Sequence, residues 1–311
     1  MPTLLIHKAP VIRLLFLAYV LASGGTSDRH ARAENERAAN PVERWTYLSN
    51  AELKVGFLRS HGGALAYLGP AESDVNYLNH YDHGRLVQQS YYGDADGSRW
   101  VDKPWRYNPV QGGSYRGLAA SLSSFHFDGN TVDAKTIPRH WASGALLNEC
   151  SMEQKATLDG PVLSVRYRFR YDGETAHQTR HQETPAVFVA PSLATLVTYS
   201  GEHPWTGDEL ATRTPGWPNE SVVLAESWAA YVGDDGVGIG VYVPGVKKAT
   251  CYRFQGGNGS NCSYIAPLRS FALEPGLDFH YEAHFTTGTV AEIREQFAGL
   301  RRSDKARRES R

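Results

Sequence analysis

Hydrophobic and polar residues alternate with a period of two along much of the chain from Trp45 onward. In residues 161–171, Leu163, Val165 and Tyr167 share one face, and the Ser and Arg residues between them share the other. This alternation is typical of strands with one buried face. The pattern also predicts strands over Leu53–Leu58, Leu86–Tyr92, Ala186–Ala190, Thr195–Tyr199, Ser227–Val232, Gly238–Val243 and Asp278–Phe285.

A helical pattern is convincing only near the C-terminal end. Residues 289–292 read Thr-Val-Ala-Glu, which is a capping box, and Ile293, Phe297 and Leu300 then form one apolar stripe. We therefore predict an all-β fold, an antiparallel β-sandwich or supersandwich with one short C-terminal helix.

The predicted organisation is a single folded domain with short appended segments. The sandwich is expected over residues 43–288, the helix over 289–302 and a frayed, charged tail over 303–311. Residues 1–25 combine a basic start with a short apolar run and small residues, which indicates a cleaved secretory signal peptide; an N-terminal membrane anchor is the alternative. Residues 26–42 read as a flexible leader. We expect a secreted protein, extracellular or periplasmic, with no membrane span in the mature chain.

Charge and composition narrow the class of partner. The 311 residues include 32 Lys and Arg against 33 Asp and Glu, a formal net charge of -1. Proteins that bind nucleic acid through its phosphates usually show a basic excess, so that class is disfavoured. Seven Trp, 17 Tyr and 11 Phe supply enough apolar area for a core and exclude global disorder. The oligomeric state is left open.

The three cysteines are Cys150, Cys251 and Cys262. The segment from Cys251 to Cys262 reads as two short strands around a Gly-Gly-Asn-Gly tip, so we expect the two cysteines to face one another and form a disulfide. Cys150 is expected to be a buried thiol.

The densest polar cluster spans residues 79–92. Its second half is expected to be a strand with two polar faces: Arg85, Gln89 and Tyr91 on one, and Gln88, Ser90 and Tyr92 on the other. A sheet that lines a sugar groove explains this pattern, because Arg, Gln and His hydrogen-bond hydroxyls and carboxylates. The alternative is a polar edge strand. His80, Asp82 and His83 also have ligand chemistry, but their spacing is not a metal signature. We therefore predict no cofactor, with a bound divalent cation as the weaker alternative.

Two longer segments resemble galactose-mutarotase-like domains. Residues 50–58 and 61–68 look like the strand, Gly-rich turn and strand that open those domains, and residues 153–168 resemble one of their strand pairs. The resemblance implies a β-supersandwich whose concave face holds sugars. Mutarotase-type enzymes use a carboxylate with a histidine, so it also implies Glu183 or Glu226 beside His83 or His140.

The carboxylates Glu183 and Glu226 each lie at the margin of an apolar strand. Such a carboxylate often has a raised pKa and can act as a general acid or base, although either could instead be purely structural. Trp105 and Trp141 lie in probable loops and are expected either to stack on a sugar or to plug the core.

These observations predict a secreted carbohydrate-active enzyme that cleaves or remodels a polysaccharide or oligosaccharide. Glycoside hydrolysis by two carboxylates is slightly favoured; β-elimination on a uronate and non-catalytic sugar binding are the alternatives. The candidate catalytic residues are Asp82, His83, Tyr91, Glu183 and Glu226. The candidate substrate-binding residues are His80, Arg85, Gln88, Trp105 and Trp141.

Overall fold

The computed structural model describes residues 44–309, so the predicted signal peptide (1–25) and leader (26–42) lie outside the described residues. The strands are β1 (Trp45–Ser49), β2 (Leu53–Leu58), β3 (Ala64–Pro70), β4 (Val87–Ser90), β5 (Ala95–Trp100), β6 (Lys103–Arg106), β7 (Pro109–Val110), β8 (Ser121–Phe127), β9 (Thr131–Ile137), β10 (Arg139–His140), β11 (Cys150–Asp159), β12 (Val162–Tyr171), β13 (Arg180–Val189), β14 (Thr195–Tyr199), β15 (Leu210–Arg213), β16 (Glu220–Val223), β17 (Trp228–Val232), β18 (Val237–Tyr242), β19 (Lys248–Phe254), β20 (Cys262–Phe271) and β21 (Leu277–Thr289). One turn of 3-10 helix spans Arg59–His61, and the α-helix α1 spans Val290–Glu309.

The strands form two large antiparallel sheets and one small hairpin. The ten-stranded sheet has the order β1-β2-β3-β4-β13-β20-β19-β16, with β7 paired to β4 and β10 paired to β7. The nine-stranded sheet has the order β15-β14-β17-β18-β21-β12-β11-β9-β8, and β5 pairs with β6. The prediction of a mostly antiparallel β-sandwich with one C-terminal helix is confirmed.

The main core lies where alternate side chains of the two sheets meet. On β12, Leu163, Val165 and Tyr167 are buried, as the alternation predicted. They join buried residues of the ten-stranded sheet, such as Phe57 and Ile265, in one apolar cluster. Burying apolar surface from both sheets is the dominant stabilising contribution to such a fold.

Helix α1 begins as predicted and continues further than predicted. The Glu292 carboxylate accepts a hydrogen bond from the Thr289 backbone N–H at 2.8 Å, and Ile293 and Phe297 are fully buried. The helix continues to Glu309, seven residues beyond the predicted end at residue 302. The tail contains Ala, Lys, Arg and Glu, which are strong helix formers and extend a helix that is already nucleated.

The predicted disulfide is also wrong, because Cys251 and Cys262 are both free and buried. The expected hairpin of β19 and β20 does form, but its register pairs Cys251 with Ile265 and Cys262 with Phe254. The two cysteines are therefore offset by three positions, about 10 Å along the strands, whereas a disulfide needs Cα atoms within about 7 Å. An odd offset also places them on opposite faces of the sheet. The expected burial of the Cys150 thiol is confirmed.

Within residues 44–309, no helix is long and apolar enough to cross a membrane.

Candidate functional site

A groove of about 1070 Å³ lies on the face of the ten-stranded sheet that points away from the nine-stranded sheet. Its floor takes side chains from five neighbouring strands, β4, β13, β20, β19 and β16. At about 4.8 Å between neighbouring strands, the floor is about 19 Å wide. The floor is therefore wide enough for an extended ligand and not only for a single small molecule.

Glu183 lies on this floor because β13 is irregular. Glu183 pairs with Ser90 of β4 and Ala186 pairs with Gln88, so three positions on β13 match two on β4. In a regular strand, residues 183 and 186 would point to opposite faces. The extra residue of this β-bulge brings both Glu183 and Ala186 onto the groove face, and bulges often redirect side chains in this way next to active sites.

Two tyrosine hydroxyls hold the Glu183 carboxyl group. The Tyr92 and Tyr264 hydroxyls both donate to Glu183 Oε1, at 2.8 Å and 2.5 Å. Burial raises the pKa of Glu183, while the hydrogen bonds from Tyr264, Tyr92 and Ser90 oppose that rise. Burial and the nearby carboxylate also raise the pKa values of Tyr92 and Tyr264 well above 10, so both hydroxyls stay protonated as donors. Glu183 is therefore a carboxyl group that can hold and release a proton nearer to neutral pH than an exposed one.

An aromatic stack lies beside this carboxyl group. The Tyr252 and Tyr264 rings are stacked at 4.4 Å, and Phe188 lies 4.7 Å from Tyr264. Trp217 packs edge-on against Tyr252 at 4.8 Å and is 55% exposed. An exposed indole at the rim of a groove offers an apolar face for the C–H surface of a sugar ring.

A second aromatic wall is built by the β5–β6 hairpin and the loop after β10. Trp105 packs edge-on against Trp100 at 5.0 Å, and Trp100 lies 6.5 Å from Trp141. The Trp105 indole N–H donates to Asn108 Oδ1 at 3.2 Å. At Gly84 an added Cβ would collide with the Trp141 ring, so only glycine allows Trp141 to pack over this turn. The predicted substrate-binding residues Trp105 and Trp141 thus both line the groove.

Asp82, Arg85 and Gln88 of the predicted polar cluster also line the groove. Asp82 accepts a hydrogen bond from the Gly84 backbone N–H at 2.9 Å and lies 3.7 Å from the Arg85 Nε. The Arg85 guanidinium lies over the rings of Tyr81 and Phe254 and donates to the Ser260 carbonyl. Gln88 is almost fully buried. Its side-chain amide accepts a hydrogen bond from the Gly112 N–H and donates one to the His83 carbonyl. Gln88 therefore supports the groove floor, whereas Asp82 and Arg85 are accessible to a ligand.

Three predicted catalytic residues lie outside the groove, and two of them are Tyr91 and His83. Tyr91 is fully buried against Phe169 of the nine-stranded sheet, and its hydroxyl donates to Gln89 at 3.0 Å. His83 is buried and stacks on His61 with ring centres 4.0 Å apart, and burial lowers its pKa to about 3. As the alternation predicted, Gln89 and Tyr91 are buried together while Gln88, Ser90 and Tyr92 line the groove. The expectation that Arg85 shares the face of Tyr91 is wrong: Arg85 lies before β4, which begins at Val87, and it lines the groove.

Glu226 has a structural environment. Its carboxylate is fully buried and pairs with the guanidinium of Arg294 on α1, with Oε1 and Nη2 2.6 Å apart. It also accepts hydrogen bonds from the Trp205 backbone N–H and the Trp228 indole N–H. The structure therefore places Glu226 away from the groove, where it holds the helix against the nine-stranded sheet.

The remaining predicted histidines also lie outside the groove. His80 packs edge-on against Trp45, with ring centres 5.6 Å apart. His140 is buried, with its Nε2 2.6 Å from Asp96 Oδ2 and its Nδ1 accepting from the Ala142 and Ser143 N–H groups. The histidine that does line the groove is His181, two residues before Glu183 on β13.

Tyr92, Tyr264 and His181 line the groove but were not among the predicted catalytic or substrate-binding residues. Tyr92 carries the same sequence signal as Tyr91, and only the choice of face separates them. Tyr264 lies 81 residues from Glu183, so local pattern could not connect the two.

In the part of the chain that the structure covers, no group of three or more His, Cys, Asp or Glu side chains comes together as a metal site. The expectation that the protein needs no cofactor stays a prediction.

Comparison with known proteins supports the fold. No family model and no curated protein sequence matches the chain. The structure is similar to that of a candidate aldose 1-epimerase from Escherichia coli K12, with a TM-score of 0.51 and 14% identity over 78% of this chain and 98% of that one. It is also similar to a galactose mutarotase related enzyme from Lactobacillus acidophilus, with a TM-score of 0.52 and 11% identity over 78% of this chain and 97% of that one. At identities this low the likeness concerns the fold, and the chain has a galactose mutarotase-like fold.

Proposed function

We propose that this chain is a secreted carbohydrate-active enzyme that cleaves or remodels a glycan bound in the groove, with Glu183 as its proton-transferring group. The observation that carries the proposal is the Glu183 carboxyl group, which has a raised pKa, is held by two tyrosine hydroxyls and lies beside a stack of aromatic rings. The mutarotase-like fold is consistent with a sugar ligand. Secretion rests on residues 1–25 and is tested by cell fractionation with N-terminal sequencing.

The chemistry follows from the two protonation states of Glu183. A protonated Glu183 can donate to the oxygen that leaves the sugar, which is the general-acid step of glycoside cleavage. After the transfer the carboxylate is anionic, and the Tyr92 and Tyr264 hydroxyls already point at it as donors. Hydrogen bonds that are in place before charge develops stabilise it without reorganisation.

Hydrolysis also needs a second catalytic group of the protein, which attacks the sugar directly or activates a water molecule. Asp82 is the other predicted catalytic carboxylate that lines the groove, and it comes from the loop before β4. We assign it the role of nucleophile or of base for water. Arg85, whose Nε lies 3.7 Å from it, keeps this carboxylate oriented.

β-Elimination is the second candidate reaction. Its base and acid would have to be groove residues such as His181 and Tyr92, because Tyr91 and His83 are buried elsewhere. The His181 ring is exposed, and its Nδ1 lies 2.8 Å from Ser270 Oγ. Elimination creates an unsaturated uronate, which distinguishes it from hydrolysis.

The test compares the wild-type protein with Glu183→Gln and Asp82→Asn on neutral and uronate-containing polysaccharides. New reducing ends and ultraviolet absorbance from unsaturated uronate are followed together. We expect Glu183→Gln to lower turnover by at least about 100-fold while glycan binding persists, because general acid–base catalysis contributes 10²–10⁴-fold. The matched control is Glu274→Gln, an exposed carboxylate outside the groove, which should turn over normally.

Three outcomes decide between the candidates. Reducing ends without the ultraviolet signal support hydrolysis, and both signals together support elimination. A wild-type protein that binds a glycan but turns none over contradicts the enzyme proposal and favours a sugar-binding protein.

A further inference from the structure

The groove is lined by one more cationic than acidic side chain, whereas the whole chain has a formal charge of -1. The cationic residues that line it are Arg85, Arg106, Arg180 and Lys248. The acidic residues that line it are Asp82, Glu183 and Glu220. The groove is therefore more positive than the protein as a whole.

Most of these charges are already compensated within the protein. Asp82 lies 3.7 Å from Arg85, and Arg180 pairs at 2.7 Å with Asp94. Glu220 lies 3.7 Å from Arg213. Because each of these side chains already has a partner of opposite charge, none of them requires a charged ligand.

Two groove cations have no such compensation. Arg106 and Lys248 are exposed, and among residues 44–309 neither takes part in an ion pair. Arg106 ends β6, next to Trp105 in the second aromatic wall. Lys248 is the first residue of β19. Ala249 pairs with Pro267, so Lys248, one position earlier in the same register, lies beside Leu268.

These two cations lie on opposite sides of the Glu183 carboxyl group. Glu183 pairs with Leu268, so Lys248 lies two strands away, a distance of about 10 Å. Arg106 lies on the other side of β13. The Tyr107 carbonyl, one residue after Arg106, accepts a hydrogen bond from the Gly93 N–H in the segment that follows β4, and β7 then pairs with β4 itself. A glycan that crosses Glu183 would meet one uncompensated cation on each side.

We propose that the glycan bound in this groove is a polyanion, and that Lys248 and Arg106 bind its anionic groups on the two sides of the sugar next to Glu183. This inference rests on the proposed function, because it concerns the substrate of the same groove. The shared chemistry is an oxyanion, either the carboxylate of a uronate or a sulfate ester. Arg can bind either one with two parallel hydrogen bonds, and Lys acts as a point charge.

The test measures binding to protein that carries Glu183→Gln, so that substrate is not consumed. The probes are polygalacturonate, a sulfated galactan and a neutral galactan, each followed by isothermal titration calorimetry. We expect a polyanion to bind at least about tenfold more tightly than the neutral galactan, and this preference to fall at 1 M salt, where the Debye length is about 3 Å. Preference for polygalacturonate identifies a carboxylate ligand, and preference for the sulfated galactan identifies a sulfate ligand.

Substitution then locates the contacts. Lys248→Gln and Arg106→Gln should each weaken polyanion binding by about two- to fivefold, the effect of one exposed ion pair, and leave neutral binding unchanged. Lys248→Arg should retain the affinity because it retains the charge. The control is Lys155→Gln, an exposed cation on β11 of the other sheet, which should bind as before.

Equal affinity for neutral and anionic glycans, or equal effects of Lys248→Gln and Lys155→Gln, would overturn this inference. Failure of the enzyme proposal is a separate result. A wild-type protein that binds polyanions through Lys248 but cleaves no glycan contradicts only the proposal that the protein is an enzyme. A protein that uses Glu183 to cleave neutral and anionic glycans equally well contradicts only the inference that its ligand is a polyanion.

Discussion

Replacing Tyr264 with Phe tests the central feature of the site, the hydrogen bonds that oppose the raised pKa of Glu183. The Tyr264 hydroxyl donates to Glu183 Oε1, and donation stabilises the ionised carboxylate. A hydrogen bond to a charged group contributes about 1.5–3 kcal/mol, and one pKa unit corresponds to about 1.4 kcal/mol. Losing this hydrogen bond while the burial remains should therefore destabilise the Glu183 carboxylate by about 1.5–3 kcal/mol and raise its pKa further.

The assay is an NMR titration of protein labelled with ¹³C at the glutamate side-chain carboxyl carbon, with the Glu183 signal assigned by its absence in Glu183→Gln. It needs no knowledge of the reaction. If Glu183 is the general acid, the alkaline limb of the pH–rate profile should shift to higher pH by the same amount as the Glu183 titration. Tyr252→Phe is the matched control, because Tyr252 stacks on Tyr264 but its hydroxyl is not a hydrogen-bond partner of Glu183. An unchanged or lower pKa in Tyr264→Phe, or an equal rise in Tyr252→Phe, would refute the reasoning.

Three further predictions concern stability and the thiols. In denaturant titrations, Glu226→Gln should lower the free energy of unfolding by about 3 kcal/mol, since it leaves the guanidinium of Arg294 without its buried partner. The control is Glu295→Gln, which removes an exposed ion pair and should lower the free energy of unfolding by less than about 1 kcal/mol. Burial lowers the pKa of His61 to about 4 and that of His83 to about 3, so the unfolded chain takes up protons first as the pH falls below about 6.5. Stability should therefore fall as the pH is lowered from 6.5 to about 3. His61→Phe should reduce that slope in thermal melts, and an identical slope would show that the ring does not titrate as described. Alkylation of unfolded, unreduced protein should modify three thiols, whereas modification of only one would reveal a disulfide.

The sequence was informative wherever one local rule decided the outcome. The period-two alternation of β12 and the capping box of α1 both depend on neighbouring residues, and both predictions are confirmed. The groove face of β4 was harder, because both faces of that strand carry polar side chains. Tyr91 and Tyr92 could not be distinguished without knowing which face meets the second sheet.

Errors arose where contacts far apart in sequence determine the structure. The role of Glu226 depends on Arg294, which lies 68 residues later on α1. The hairpin between Cys251 and Cys262 was anticipated, but its register is set by the strands that flank it and not by the tip. The position of Glu183 depends on a bulge in β13, and its pKa depends on hydroxyls from two other strand regions.

The strand order has a consequence for how the polypeptide matures. In the nine-stranded sheet, β21 lies between β18 and β12, so a strand made late in synthesis joins two groups of strands made earlier. Until residues 277–289 have emerged from the ribosome, β12 and β18 present unpaired edges that can pair with other chains. Completion of this sheet must therefore wait until residues 277–289 are available, and a product that stops before residue 277 would be expected to aggregate. Such a nascent chain depends on a chaperone more than one whose strands pair in the order of their synthesis.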